Sequence, residues 1–135
     1  MAIILDADVI IKGEKANFDL IAWLDAQDLE IAAITVAELW HGIERATAPH
    51  RAKRERYLRT IVERLEPIPY TEITALIHAR LWAELESSGN MIGAHDWILA
   101  SAALERDSAL ATFNKRHFNV VPGLRVIEPR VIEPK

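Results

Sequence analysis

The chain has 135 residues, half of them apolar, which is close to the size of one domain of roughly 100 to 200 residues. It has no cysteine, so disulfides and thiolate metal sites are excluded, and charged residues interrupt every apolar run before the ~20 residues a membrane helix needs. The formal net charge of −4 argues against nucleic-acid binding through the overall field, though not through a local patch. The first eight residues carry neither a basic flank nor a long apolar core, so a soluble cytoplasmic protein is expected.

Residues 2–5 form a short apolar run closed by Asp6 and read as a buried strand. A helix follows, with Asn17 as its cap and Phe18, Ile21, Ala22 and Leu24 on its apolar face. Residues 30–34 read as a second strand, and Thr35-Val36-Ala37-Glu38 has the form of a capping box opening a helix that runs to about Arg45. After Ala48-Pro49 a further helix continues to Pro67. It is rich in cations: Arg51, Lys53, Arg54, Arg56 and Arg59 lie between Arg45 and Arg64, against Glu55 and Glu63 alone. Such a run is either a solvated helix face or a phosphate-binding strip.

Residues 67–70 form a connector, and Thr71 caps a long amphipathic helix in which Ile73, Leu76, Ile77, Leu81 and Leu85 keep helical spacing until Ser87-Ser88-Gly89-Asn90. Gly93 breaks the chain before Asp96, after which Ile98, Leu99, Ala102, Ala103 and Leu104 carry a helix to Arg106. A strand at 109–112, a loop around Asn114, a turn at Pro122-Gly123 and a last strand at 125–127 complete the pattern. Arg-Val-Ile-Glu-Pro occurs at 125–129 and again at 130–134, and the second copy reads as an exposed extension. The expectation is one α/β domain over 1–128 with a C-terminal tail at 129–135, built on a central parallel β-sheet flanked by helices. Ligands of such sheets bind beyond the carboxyl ends of the strands, where Asp6, Asp8, Glu38 and Asn114 fall.

Each acid has an ordinary structural explanation: Glu38 as the returning half of a capping box, Asp96 as a first-turn carboxylate favoured by the helix dipole, Asp6 and Asp8 as turn residues. As a group they are harder to explain that way. Asp6 ends a wholly apolar run, has no Lys or Arg in its immediate sequence, and is followed two residues later by Asp8. Carboxylates converging at one sheet edge repel and raise one another's pKa, and a divalent cation resolves that repulsion. An all-oxygen set favours Mg²⁺ or Mn²⁺ over zinc, and the five histidines show no HExxH pattern. The four tryptophans, Trp23, Trp40, Trp82 and Trp97, are expected to pack in the core.

Four segments resemble motifs of the PIN-domain ribonucleases, and within them the VapC-type toxins of bacterial toxin–antitoxin pairs: residues 3–11 around Asp6, 34–39 around Glu38, 95–102 around Asp96, and Leu-Ala-Thr-Phe-Asn-Lys-Arg-His-Phe at 110–118. The resemblance covers nearly the whole chain. It implies a PIN-like three-layer sandwich and Mg²⁺-dependent hydrolysis of RNA, with Mn²⁺ as a substitute. Asp6 and Asp96 would hold the metal, Glu38 would bind it directly or through water, and Asn114 would stand at the fourth position, where many relatives place Asp. Asp8 is a further candidate ligand, His117 lies where some relatives carry another acid, and Thr112 is a supporting hydrogen-bond donor. Arg51, Arg54, Lys115 and Arg116 are candidate RNA contacts. The implied partners are an RNA substrate, a cognate antitoxin and a second copy of the chain, with the helix from Thr71 as contact surface.

Two alternatives remain at this point. Asp6-Ala7-Asp8-Val9 also resembles the first motif of haloacid-dehalogenase-like phosphatases, with Asp6 as nucleophile, although that family's later acids and Lys motif are not matched. Asn114 and His117 at usually acidic positions also fit a PIN-like module that binds RNA or a partner without cleaving.

Overall fold

A computed structural model describes residues 2–15 and 18–130. The chain alternates short strands with helices: β1 (Ile3–Leu5), α1 (Ala7–Glu14), α2 (Leu20–Ala26), β2 (Leu29–Ala32), α3 (Ala33–Glu44), α4 (Ala48–Arg64), β3 (Pro67–Ile68), α5 (Glu72–Ser88), α6 (Ala94–Glu105), β4 (Ala109–Ala111), α7 (Lys115–Phe118) and β5 (Val126–Ile127). The five strands make one sheet in the order β3-β2-β1-β4-β5, and every pairing is parallel.

Alternation along the strands divides the core in two. Ile3 and Leu5 point to one face with Leu29, Ile31, Ala109 and Ala111, packing with Val9 and Ile10 of α1, Leu20 and Leu24 of α2, and Ile61 of α4. Ile4 and Leu110 point to the other face, with Leu81 and Leu85 of α5, Trp97, Leu99, Ala100 and Ala103 of α6, and Phe118. Burial on both faces explains why β1 and β4 are apolar at every position. The three-layer α/β/α arrangement agrees with the expected fold class.

Several local expectations change. The helix α1 was not anticipated. Its Ile-Ile-Lys stretch follows an extended run, but Asp6 accepts a hydrogen bond from Ala7 N–H at 2.8 Å and turns the chain directly into a helix that buries Val9 and Ile10. The cap of α2 is Asp19, whose side chain accepts from Ala22 N–H at 3.0 Å; Asn17 lies outside the described residues. The capping box at Thr35 does not form. β2 ends at Ala32, which is itself the N-cap of α3, and Thr35 is fully buried inside the first turn with no hydrogen-bond partner for its hydroxyl among the described residues. Glu38 is therefore not tied back to Thr35. The connector at 67–70 contains the edge strand β3, and the loop after Asn114 contains the one-turn helix α7.

Of the tryptophans, Trp97 is buried, whereas Trp82 is 51% exposed on α5 and stacks on His78. On the same helix Ile73 and Leu76 are 62% and 64% exposed, so only part of the anticipated apolar face meets the core. The αL conformation at Gly89, φ 79°, ends α5 as expected.

Candidate functional site

In an open parallel sheet the crevice lies where the chain reverses its direction of building. Here β1 pairs with β2 on one side and β4 on the other, so that point is between β1 and β4. Asp6 immediately follows β1 and Thr112 immediately follows β4. Asp6 N–H donates to Ala111 O at 2.9 Å, which holds the two strand ends together up to the site.

Thr112, fully buried, donates its hydroxyl to Asp6 Oδ2 at 2.8 Å and accepts Asn114 N–H at 3.0 Å. Asp8, in the first turn of α1, accepts Phe113 N–H at 3.1 Å, with Thr112 Oγ1 at 3.4 Å from the same oxygen. Its other oxygen, Oδ1, is buried without a hydrogen-bond partner among the described residues. Lys12 sits over the Phe113 ring, 4.0 Å from its centroid, and favours the ionised form of Asp8.

Burial first, and then the adjacent Asp8 charge, push the Asp6 carboxyl up to about 6; the hydrogen bonds from Thr112 and Ala7 oppose this, and Asp96 adds a small push upward. Asp8 is also raised, chiefly by burial, against the Phe113 and Thr112 hydrogen bonds. Glu38 is raised by burial, with His95 opposing and Asp96 adding to the rise. The structure thus links the four acids in a series, Asp8 to Asp6, Asp6 to Asp96 and Asp96 to Glu38, from three elements.

Two of these acids face histidines. His117 Nε2 lies 2.8 Å from Asp96 Oδ2, and His95 Nδ1 lies 3.8 Å from Glu38 Oε2. Neither contact was legible in the sequence: Asp96 and His117 are 21 positions apart and no periodicity links them. His95 and Glu38 meet only because α3 and α6 pack together. Asn114 is the N-cap of α7, and its side chain makes no cap hydrogen bond. Lys115 and Arg116 follow it as exposed residues.

An all-oxygen donor set with one buried, unpartnered carboxylate oxygen fits a hard divalent cation better than a softer metal. Among the described residues, however, no three acidic or imidazole side chains already stand close enough to cage an ion. Like-charged carboxylates keep apart, and Asp96 and Glu38 turn to their histidines.

Beside Glu38, a groove of about 290 Å³ runs between α1, α3 and α4. Ile10, Ile11, Leu39 and Ile43 form its apolar floor, and Lys15, His50, Lys53 and Arg54 stand on its rim. Arg54 Nε is 3.9 Å from Glu14, whereas Arg51 is engaged with Glu44 at 3.1 Å and does not line the groove. Sequence reasoning flagged the cations of α4 but not the apolar floor, which comes from α1 and α3.

The PIN domain family model matches residues 3–124. The chain belongs to the PIN domain family. VapC ribonuclease Y4jK of Sinorhizobium fredii is 32% identical over 138 residues, covering 94% of this chain and 96% of that one. The tRNA(fMet)-specific endonuclease VapC of Salmonella typhimurium is 31% identical over 103 residues, 76% of each chain. These relatives set this PIN domain among the VapC ribonucleases. In three dimensions it superposes on the DNA-bound VapBC of Salmonella typhimurium with a TM-score of 0.84 at 26% identity, over 95% of this chain and 98% of that one. Family membership sets aside the phosphatase alternative. No helix among the described residues of this PIN domain is long and apolar enough to cross a membrane.

Proposed function

We propose that this PIN domain is a metal-dependent endoribonuclease that hydrolyses RNA phosphodiesters, and that it is the toxin of a toxin–antitoxin pair neutralised by a cognate antitoxin. The observation that carries the reading is the acidic group at the β1/β4 crevice, where burial and Asp8 raise the Asp6 carboxyl to about 6. A domain does not retain mutually repelling, half-buried carboxylates for stability, but a cation and its phosphate substrate give them a use. The names of the relatives, VapC ribonucleases and a VapBC complex, supply the substrate class and the kind of partner.

Asp6 and Asp96 would hold the cation, Mg²⁺ in the first instance and Mn²⁺ as a substitute, with Glu38 binding directly or through water and Asp8 as a further candidate. The cation supplies Lewis acidity and neutralises charge at the scissile phosphate. Thr112 fixes the Asp6 carboxylate; Glu38 orients the attacking water; the Asn114 amide, which carries no charge, can accept a hydrogen bond from that water. Arg54 and Lys53 on the groove rim, with Lys115 and Arg116 beyond β4, suit the RNA backbone, and Arg51 adds to the same positive field. The unit is taken as residues 1–128 with a tail at 129–135. A homodimer through the exposed α5 face, with Ile73, Leu76 and Trp82, fits its apolar character; light scattering after gel filtration tests it, and a monomeric mass that Leu76→Glu leaves unchanged would rule it out.

The deciding experiment compares purified parent, Asp6→Asn and Asp96→Asn on labelled RNA with Mg²⁺. Cleavage by the parent alone, abolished by chelator, is expected. Binding without cleavage by the parent would favour a non-cleaving RNA-binding module, for which Asn114 and His117 are the motivating residues. Equal cleavage by all three proteins would sink the site assignment.

A further inference from the structure

The chain after β4 touches two of the acids from opposite ends. Thr112 donates to Asp6, and five residues later His117 meets Asp96. A carboxylate oxygen only accepts, so the imidazole Nε2 carries the proton and donates to Asp96 Oδ2. The ring is not a free surface rotor. His117 N–H donates to Asn114 O at 3.1 Å, which winds the turn of α7. The ring meets Phe118 edge-on at 5.3 Å between centroids, and Phe118 is 1% exposed in the core. Asn114 is in turn fixed by its N–H to Thr112 Oγ1. The segment from Thr112 to Phe118 is therefore a bracket, anchored by Phe118, that grips Asp6 at one end and Asp96 at the other.

We propose that His117 is a positioning residue for the cation site: by donating to Oδ2 of Asp96 it fixes the orientation of that carboxylate without adding negative charge, and the site takes a single divalent cation. The proposal rests on the metal-nuclease reading above. An acid at position 117 would repel Asp96 and offer further oxygen ligands, making room for a second ion. A donating imidazole does neither: it fixes the orientation of Asp96 and adds no negative charge. Partners that orient a metal-binding side chain typically change metal affinity by about 10–100-fold when removed.

Mn²⁺ binding followed by titration calorimetry and by the electron paramagnetic resonance of the free ion, with the full chain and no RNA, tests this directly. The parent is expected to bind one Mn²⁺, and Asp6→Asn to lose binding. His117→Leu, which fills the space without a donor, and His117→Ala are expected to bind about 10–100-fold more weakly. His117→Gln, which keeps an N–H donor, is expected to recover much of that loss, and a role in folding alone would not separate Gln from Leu at equal thermal stability. Two bound ions in the parent, or parent-like affinity in folded His117→Leu while Asp6→Asn is dead, would overturn the proposal. If Asp6→Asn binds Mn²⁺ as the parent does, the metal-site reading itself fails and takes the proposal with it.

Discussion

Thr112 Oγ1 donates to Asp6 Oδ2 at 2.8 Å although 106 positions separate the two residues, and the same oxygen accepts Asn114 N–H. One hydroxyl thus joins the end of β1 to the loop that follows β4. Thr112→Val keeps the shape but deprives the Asn114 N–H of its acceptor and removes a charge-assisted bond to the half-buried Asp6, a cost of about 1–3 kcal/mol. Urea unfolding of the metal-free protein should show that loss, while Thr112→Ser stays within about 1 kcal/mol of the parent. Equal midpoints for Val and parent would mean that the hydroxyl does not bridge the strands.

The raised carboxyl of Asp6 makes stability depend on pH. Its ordinary value is 3.8, and in the fold it is about 6, so between pH 4 and 6 the folded chain binds more protons than the unfolded one. Stability then falls as pH rises through that window. The contribution is fully present below pH 4 and lost above 6, and a shift of this size corresponds to about 3 kcal/mol. Asp8 and Glu38, both raised, act in the same direction. In chelator at pH 7.5, Asp6→Asn should therefore melt at a higher temperature than the parent, with the gap closing towards pH 4. A lower melting temperature for Asp6→Asn at pH 7.5 would contradict the origin assigned to the shift.

The same acids show how much was legible. Their order along the chain and their place at strand ends could be read because short apolar runs mark β1, β2 and β4. The alternation of strands with helices gave the parallel sheet. Helix α1 was hidden because Ile-Ile-Lys suits an extended chain as well as a helix, and only the cap at Asp6 decides between them. The capping box at Thr35 failed because burial of that residue outweighed its local pattern. The histidine partners of Asp96 and Glu38 depend on how α6 sits against α3 and α7, which no local pattern encodes.

Gly13 shows a tight approach of this kind. A Cβ there would lie 2.6 Å from the Tyr57 hydroxyl and 2.8 Å from Leu20 Cβ. Gly13→Ala should destabilise by about 1–3 kcal/mol through overpacking, despite the better helix propensity of alanine. The Tyr57 hydroxyl is buried without a hydrogen-bond partner among the described residues, so Tyr57→Phe should be near neutral or stabilising and should relieve part of the Gly13→Ala loss. Additive effects in the double variant, measured by urea midpoints, would show that the two sites do not touch.

The groove rim predicts a graded electrostatic effect on RNA. Lys53→Ala and Arg54→Ala should each weaken binding and lower the slope of log affinity against log salt by about 0.7 to 1. Arg51→Ala should change the slope less, because Arg51 is already paired with Glu44. Filter binding of a short single-stranded RNA at several salt concentrations distinguishes these, and an Arg51 effect larger than that of Arg54 would place the backbone track elsewhere.

Both edges of the sheet are stubs. β3 and β5 have two residues each, and β3 begins at Pro67 and is followed by Pro69, neither of which has an N–H to donate. A neighbouring chain therefore finds, among the described residues, almost no ladder on which to add a strand. Among the described residues, Ile73, Leu76 and Trp82 on α5 are instead among the most exposed large apolar side chains, and the proposed homodimer would use that helix face. The exposed apolar residues of this chain can then serve recognition with little risk of seeding cross-β aggregates.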